Sequence, residues 1–355
     1  MKHKNTAIGL FAASLLLATL ACRAVTDAFF PPTEIPPTLP PATIVPSLVP
    51  SVTPSLVPTI PPPASCPNIT DQIMQIANAA PEKSGTVDQR SRDNEAETIL
   101  VTYTISGDEI TDPVYEDVSS DLQNQQEDTA THQDIWNYFT TLIPADQRQI
   151  LAEYSVMTDG KDNLLAAVSQ TYDDPVLWNL EVDITDANDT YNLTYTLVHE
   201  FGHLLTLNSD QVPPSTAVFN NPDDDNIYFE EVSACPNYFP GEGCAKPNSY
   251  INAFYSQFWP DIHGELQNIN LEEDDDVYYQ RLDDFYIKYK DQFVNDYAAT
   301  NPEEDVAEVW SFFVLGPKPN GDTIAEEKIL FFYDYPELVQ LREQTLSNLC
   351  NSFPQ

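Results

Sequence analysis

The 355-residue chain carries 56 aspartate and glutamate residues against 15 lysine and arginine residues, which gives a formal net charge of −41. Such a charge repels nucleic acid and anionic membrane surfaces, so neither is expected as a partner. From Cys66 to its last residue the chain is long enough to form one large domain or two lobes around a cleft.

The first 21 residues have the layout of a secretory signal peptide. Lys2 and Lys4 form a basic start, and the apolar run from Ala7 to Leu20 is too short to span a bilayer, which needs about 20 residues. We expect cleavage before Cys22 and no membrane-spanning helix in the mature protein. A cysteine at this junction resembles the lipobox of bacterial lipoproteins, which implies acylation of Cys22 and a cell-surface location. Secretion without a lipid anchor is the alternative.

Residues 22–65 are predicted to form a linker, either lipid-anchored or secreted. Proline recurs from Pro31 to Pro63 among small and apolar residues, and Glu34 is the one charged residue in that stretch. This composition favours an extended, polyproline-like spacer. At roughly 3.1 Å per residue the spacer can hold the following domain, residues 66–355, up to about 100 Å from its anchor.

Four cysteines remain beyond Cys22: Cys66, Cys235, Cys244 and Cys350. An even number in an exported chain predicts disulfides. One arrangement closes a small loop between Cys235 and Cys244 and joins the two ends of the domain through Cys66 and Cys350; two other pairings stay open. No Cys-x-x-Cys spacing exists, so a structural zinc site built from cysteines is not expected.

Hydrophobic periodicity predicts an α+β domain. Strands are expected near residues 98–105, 150–157, 164–171 and 176–184, with a helix near residues 133–142 before most of them. A further helix begins after residues 186–189, where an aspartate can cap it, and from Ser249 onward the pattern is almost entirely helical. The predicted order is thus a small mixed sheet, one central helix and a mainly helical lobe.

Two acidic runs, residues 223–225 and 272–276, interrupt this pattern. Such runs are typical of solvated loops or helix starts, and a Ca²⁺ site is the alternative interpretation.

The stretch His199-Glu200-Phe201-Gly202-His203 predicts a catalytic zinc site. Residues four apart share one face of a helix, so both imidazoles can reach a single zinc ion about 2.0–2.1 Å away. Glu200 projects beside them, where a carboxylate can act on the water molecule that zinc activates.

A catalytic zinc takes three protein ligands and keeps one position open, so a third ligand is needed after His203. The metzincin pattern requires a histidine six residues later, but that position holds Ser209. His263 lies in a loop-like context and is interpreted as a surface histidine. Glu230 and Glu231 lie at an ordinary distance along the chain and are rival candidates.

The favoured source of the third ligand is a helix that begins at Pro302, a residue suited to the first helical turn. Glu304 and Glu308 lie on one face of this helix. One glutamate can then bind zinc while the other orients a histidine.

These motifs resemble the gluzincin clan of zinc peptidases, and specifically the lethal-factor type of catalytic domain. In that family the first glutamate of a Glu-x-x-Ala-Glu helix is the third zinc ligand, and a tyrosine seven residues before it assists catalysis. The roles that the resemblance implies are zinc ligands for His199, His203 and Glu304, the general base for Glu200, the histidine-orienting carboxylate for Glu308, and the assisting phenol for Tyr297.

The resemblance implies a zincin-like metallopeptidase domain that hydrolyses peptide bonds in peptide or protein substrates. It rests on two short windows separated by 101 residues, from His203 to Glu304, which is wider than the family's usual gap. We therefore expect a large insertion, about residues 209–296, that loops out and contains Cys235 and Cys244. A non-catalytic cell-surface binding protein on the same fold is the alternative.

Overall fold

A computed structural model of the chain describes residues 65–79, 98–160 and 164–353. The predicted signal peptide, Cys22 and all but the last residue of the predicted linker lie outside the described residues. Those features stay predictions.

Five β-strands form one mixed sheet in the described part of the chain, in the order β2-β1-β3-β5-β4. They are β1 (Thr98–Ser106), β2 (Glu109–Tyr115), β3 (Leu151–Thr158), β4 (Ala166–Gln170) and β5 (Trp178–Asp183). Strands β3 and β5 run parallel, and the other neighbouring pairs are antiparallel. The four predicted strands are confirmed, and β2, which was not predicted, forms a hairpin with β1.

Helices make up most of the rest of the described chain. They are α1 (Pro67–Ala79), α2 (Gln123–Gln126), α3 (Thr129–Leu142), α4 (Thr190–Leu207), α5 (Thr216–Phe219), α6 (Asp225–Ala234), α7 (Tyr250–Phe258), α8 (His263–Ile269), α9 (Asp275–Lys288), α10 (Pro302–Leu315), α11 (Ile324–Tyr333) and α12 (Pro336–Ser352). Asp224 and Asp274, from the two acidic runs, accept hydrogen bonds from backbone amides at the starts of α6 and α9. The mixed α+β class is therefore confirmed.

The core lies against one apolar face of the sheet, because alternate residues of a strand point to the same side. The register aligns Tyr154, Leu180 and Val168 in one row across β3, β5 and β4, and all three are buried. Helix α3 contributes Trp136, whose ring lies 5.4 Å from that of Tyr154. Helix α4 lies beside this layer and contacts β4 and α10.

Residues 209–296 do not loop out from the domain, and this part of the expectation is wrong. The segment forms α5 to α9, and its residues Ile251, Phe254 and Trp259 are buried in the same core as the sheet and α4. Helix α7 packs against α4, α10 and α11. Burying apolar side chains is favourable, and those of this segment are buried against α10 and α11.

Two disulfides link the four cysteines of the described chain, Cys66 to Cys350 and Cys235 to Cys244. Of the three pairings left open by the sequence, the structure thus has the one that closes a small loop and joins the domain ends. Disulfides persist in oxidising compartments, so this pair indicates an oxidising, extracellular environment. Among the described residues, no helix is both long and apolar enough to cross a membrane.

Candidate metal centre

Helix α4 carries the two histidines of the motif. It begins after Asp189, whose side chain accepts hydrogen bonds of 3.1 and 3.3 Å from two backbone amides of the first turn. Nearly all side chains of α4 are buried, as expected for a helix at the centre of a core. His199 and His203 lie on the same side of it, with ring centroids 4.8 Å apart.

Helix α10 carries the two glutamates. The side chain of Asn301 accepts a 2.7 Å hydrogen bond from the backbone amide of Glu304, and Pro302 occupies the first helical position. Glu304 and Glu308 are both buried on the face directed at α4. Asn301 and Pro302 therefore set the start of α10, and this start places Glu304 in the first turn of the helix.

The two helices approach each other closely at Gly202. A Cβ atom added there would lie 3.1 Å from the Cα of Ala307 and 3.0 Å from Cδ1 of Trp310. A glycine on one helix facing an alanine on the other permits this short separation. The separation in turn brings the carboxylate of Glu304 to the imidazoles.

Three side chains converge at this crossing. Nε2 of His199 lies 3.0 Å from Nε2 of His203 and 3.1 Å from Oε2 of Glu304, and Nε2 of His203 lies 3.3 Å from that oxygen. All three residues are buried. Four ligands at about 2.0–2.1 Å from a tetrahedral zinc ion stand about 3.3–3.4 Å apart, close to these separations. The group can therefore hold a metal ion.

Glu308 orients His199 from the opposite side of the ring. Its Oε1 lies 2.9 Å from Nδ1 of His199, so the geometry assigns a proton to Nδ1 and leaves Nε2 as the nitrogen directed at Glu304. The other oxygen, Oε2, accepts hydrogen bonds from Nδ2 of Asn295, at 2.6 Å, and from the hydroxyl of Tyr195. Glu308 is thus held by two donors that leave Oε1 for His199.

Two of these residues were not predicted from the sequence. Tyr195 lies four residues before His199 on the same face of α4, and that spacing is a signal that points to it. Asn295 lies in an irregular segment 13 residues before Glu308, and its role carries no comparable pattern.

The charges at the centre call for a cation. Burial alone would lower the pKa of His199, but Glu304 and Glu308 raise it well above its ordinary value. Burial alone would raise the pKa of Glu304, but His203 and His199 hold it well below its usual range. Positive charge between the Glu304 carboxylate and the two imidazoles stabilises this buried carboxylate, and a metal ion held by the three residues could supply that charge.

Glu200 lies beside this group but is not part of it. Both its carboxylate oxygens are buried, and neither has a regular hydrogen-bond partner in the described part of the chain. Burial raises the pKa of Glu200 well above its ordinary value, and the negative charge of Glu304 adds to the effect. His199 and, after it, the backbone amide of Val168 on β4 oppose this increase in the pKa. Such a carboxylate readily accepts a proton.

Tyr297 is half-buried in a short 3₁₀ turn, Tyr297–Ala299, with its ring centroid 6.0 Å from that of His199. Burial raises the pKa of its phenol well above the ordinary value, and Glu304 and Glu200 add to this. The phenol therefore keeps its proton and can donate a hydrogen bond. Asn295 also fixes this turn, because its Oδ1 accepts a 2.9 Å hydrogen bond from the amide of Ala298.

The rival ligands lie elsewhere. Glu230 is exposed on α6, and Glu231 on the same helix accepts a 2.8 Å hydrogen bond from Ser215. His263 is not a surface residue as the sequence suggested: it begins α8, is half-buried, and its Nδ1 lies 2.6 Å from the hydroxyl of Tyr255. None of the three joins the His-His-Glu group.

A second group of acidic oxygens belongs to Asp159, Asp183 and Asp186. Asp183 accepts hydrogen bonds from the backbone amides of Asp159, at 2.8 Å, and Thr185, at 2.5 Å. Asp159 accepts one from the amide of Leu164, at 3.0 Å. These contacts stabilise the turns that follow β3 and β5.

Comparison of the chain with protein-family models, with curated proteins and with solved structures finds no match in any of the three. The functional interpretation therefore depends on the geometry and chemistry of the site.

Proposed function

We propose that the protein is an exported zinc-dependent endopeptidase with a zincin-like fold. The observation that carries the proposal is the buried group of His199, His203 and Glu304 beside a carboxylate, Glu200, that is not part of it. Within the described chain no fourth histidine, cysteine, aspartate or glutamate joins the group, which leaves a coordination position for water or substrate, as catalytic zinc sites do.

When bound, zinc lowers the pKa of water and polarises a carbonyl group. Glu200 takes the proton of the attacking water and passes it to the leaving amine, a role that suits its raised pKa. The Tyr297 hydroxyl donates a hydrogen bond to the oxygen that gains negative charge. Glu308 holds the His199 ring with Nε2 toward Glu304, the orientation in which this nitrogen would bind the ion.

The substrate in this proposal is an extended peptide bound along β4. This strand is one of the two edge strands of the sheet, and it pairs only with β5 among the described strands. It contacts α4, and its residue Val168 lies near Glu200. A peptide that pairs with an edge strand forms backbone hydrogen bonds whatever its own side chains are. Because Val168 lies near Glu200, a peptide paired with β4 would have its scissile bond close to Glu200.

Export as a lipoprotein or as a secreted protein is part of the same proposal. The predicted signal peptide and Cys22 support it from the sequence, and the two disulfides agree with it.

The proposal is tested on the full chain with oxidised cysteines, by elemental analysis and by a casein-cleavage assay with and without a chelator. We expect one zinc ion per chain and cleavage that the chelator abolishes. The Glu200→Gln variant should keep its zinc and lose turnover by a factor of about 10² to 10⁴. Glu230→Gln, which changes an exposed rival ligand in the same chemical way, should behave as the unmodified chain.

Two outcomes distinguish the alternatives. If the chain binds zinc but cleaves no unfolded protein, a non-catalytic binding protein on this fold is favoured. In such a protein Glu200 has no catalytic role. A chain that binds no zinc would overturn the proposal altogether.

A further inference from the structure

The side chain of Lys328, on α11, is fully buried. Its Nζ donates a 2.6 Å hydrogen bond to Oδ2 of Asp305, which is also fully buried. Buried lysine is uncommon because its ammonium group loses hydration. Replacing such a pair by apolar residues of similar volume is often neutral or stabilising, so the pair is weak evidence for stability and points to a further role that can be tested.

Aromatic rings surround the ammonium group. The ring centroid of Phe293 lies 4.3 Å from Nζ, that of Trp259 at 5.5 Å, that of Phe254 at 5.8 Å and that of Phe258 at 6.0 Å. Ring faces at these distances attract a cation and partly replace its lost water. We call these four rings the aromatic box.

The aromatic box comes entirely from residues 209–296. One of its members also binds the carboxylate directly, because Nε1 of Trp259 donates a 2.8 Å hydrogen bond to Oδ2 of Asp305. Oδ2 thus receives two donors, while Oδ1 is buried and has no hydrogen-bond partner in the described chain. Both donors thus hold the Asp305 carboxylate through the same oxygen, which fixes its orientation.

Asp305 follows Glu304 directly in the first turn of α10. Adjacent residues project about 100° apart around a helix. The direction of the Asp305 side chain toward Lys328 therefore also fixes the direction of the Glu304 side chain toward the histidines. A rotation of this turn that lengthened the Asp305 contacts would also move the Glu304 carboxylate away from His199 and His203.

We propose that Lys328 is a positioning residue: held in the aromatic box, it fixes Asp305 and thereby sets Glu304 against the two histidines. Residues 209–296 then have a function at the metal centre, since their rings hold the lysine that aligns the third ligand. This inference rests on the proposed function, in which Glu304 binds zinc.

The test measures the dissociation constant for zinc in the full chain, by competition with a chromophoric chelator, at a temperature where circular dichroism shows every variant to be folded. Lys328→Met has nearly the same length and no charge, and should weaken zinc binding about tenfold or more, as loss of a group that orients a ligand does. Its stability to urea should fall as well, because Asp305 is left buried without its cation.

The double variant Lys328→Met with Asp305→Asn separates positioning from packing. It buries no charge, so its stability to urea should recover relative to Lys328→Met. Of the two donors that orient residue 305, the lysine is still missing and Trp259 alone remains, so zinc affinity should stay weaker than in the unmodified chain. Recovery of stability without recovery of affinity supports the inference. Recovery of both, or native zinc affinity in Lys328→Met, overturns it.

Two controls complete the design. Lys288→Met removes an exposed lysine that contacts Glu265 and should change neither quantity. Phe139→Leu destabilises the core on α3, far along the chain from α10, and should lower stability but leave zinc affinity unchanged. An unmodified chain that binds no zinc overturns the proposed function and this inference together, whereas native affinity in Lys328→Met overturns the inference alone.

Discussion

Oε1 of Glu308 lies 2.9 Å from Nδ1 of His199, and this contact determines which nitrogen of the ring faces the metal centre. A glutamine at position 308 can still accept a hydrogen bond, but it carries no negative charge to raise the basicity of the imidazole. We expect Glu308→Gln to weaken zinc binding by about 10- to 100-fold, measured by chelator competition. Glu343→Gln on α12 is the matched control. Unchanged affinity in Glu308→Gln would remove this glutamate from the metal centre.

The close approach of α4 and α10 at Gly202 makes this glycine a test of the architecture. In Gly202→Ala the new methyl group meets the Cα of Ala307 at 3.1 Å, and backbone atoms cannot rotate away. We expect a loss of about 1–3 kcal/mol in the free energy of unfolding by urea, together with weaker zinc binding as Glu304 is displaced.

Gly264→Ala is the control for that substitution. Gly264 also lies in a helix, α8, but nothing lies within 4 Å of a Cβ added there. The free energy of unfolding should change little or rise slightly, because alanine favours helix more than glycine does. If both variants were equally stable, the two helices would not be in contact at Gly202.

Local patterns predicted much of this centre. The spacing of His199 and His203, and that of Glu304 and Glu308, is the repeat of an α-helix, so each pair could be assigned to one helix face before the fold was known. That the two helices meet could not be derived from periodicity. It entered through the resemblance to a peptidase family.

What the sequence did not predict depends on contacts between distant segments or on weak patterns. The partners Lys328 and Asp305 are 23 residues apart on different helices, and a lone lysine is ordinarily interpreted as a surface residue. Strand β2 escaped prediction because most of its side chains are exposed and show no alternation. His263 was interpreted as a surface residue because of its loop-like sequence context, which does not show that Tyr238 and Tyr255 pack against its ring.

The two disulfides close loops of very different size, with sequence separations of 284 residues for Cys66–Cys350 and 9 residues for Cys235–Cys244. In the chain-entropy model the longer loop restricts the unfolded chain more, by roughly 3 kcal/mol. We expect replacement of Cys66 and Cys350 by serine to lower the urea midpoint clearly more than the same replacement of Cys235 and Cys244. Equal shifts would mean that the terminal link contributes no extra stability.

His132 predicts a pH dependence that is separate from the metal centre. It is fully buried on α3, where Nδ1 lies 2.9 Å from the hydroxyl of Tyr103 and Nε2 lies 2.8 Å from the carbonyl oxygen of Gln125. The carbonyl can only accept, so Nε2 carries the proton and Nδ1 accepts from the phenol. Burial lowers the pKa of His132, which keeps the ring neutral.

The sign follows from proton binding. Below about pH 6.5, the ordinary pKa of histidine, His132 is protonated in the unfolded chain but stays neutral in the folded chain. The free energy of unfolding therefore falls as the pH falls from about 6.5 toward the lower pKa of His132 in the folded chain. We expect His132→Gln to be less stable at pH 8 but to lose less of its stability between pH 7 and pH 5, measured by urea titration with zinc saturating. Parallel curves for the two chains would show that His132 is not buried neutral.

Tyr297 separates the binding of the metal ion from the chemical step. The phenol keeps its proton because burial and the carboxylates of Glu304 and Glu200 raise its pKa. Phenylalanine has the same ring without the donor, so Tyr297→Phe should keep its zinc and its stability. If the hydroxyl stabilises the developing oxyanion, kcat should fall by about 10²-fold or more while KM changes little.

Tyr279→Phe, on the exposed side of α9, is the control for Tyr297→Phe and should leave kcat unchanged.

Asn295 contacts both the Tyr297 turn and Glu308, and its variant tests this link. Asn295→Ala frees both groups, so it should lower kcat through the misplaced phenol and weaken zinc binding through Glu308. A fall in kcat for Asn295→Ala with native zinc affinity would assign this residue to the turn alone, whereas native kcat in Tyr297→Phe would remove the phenol from the mechanism.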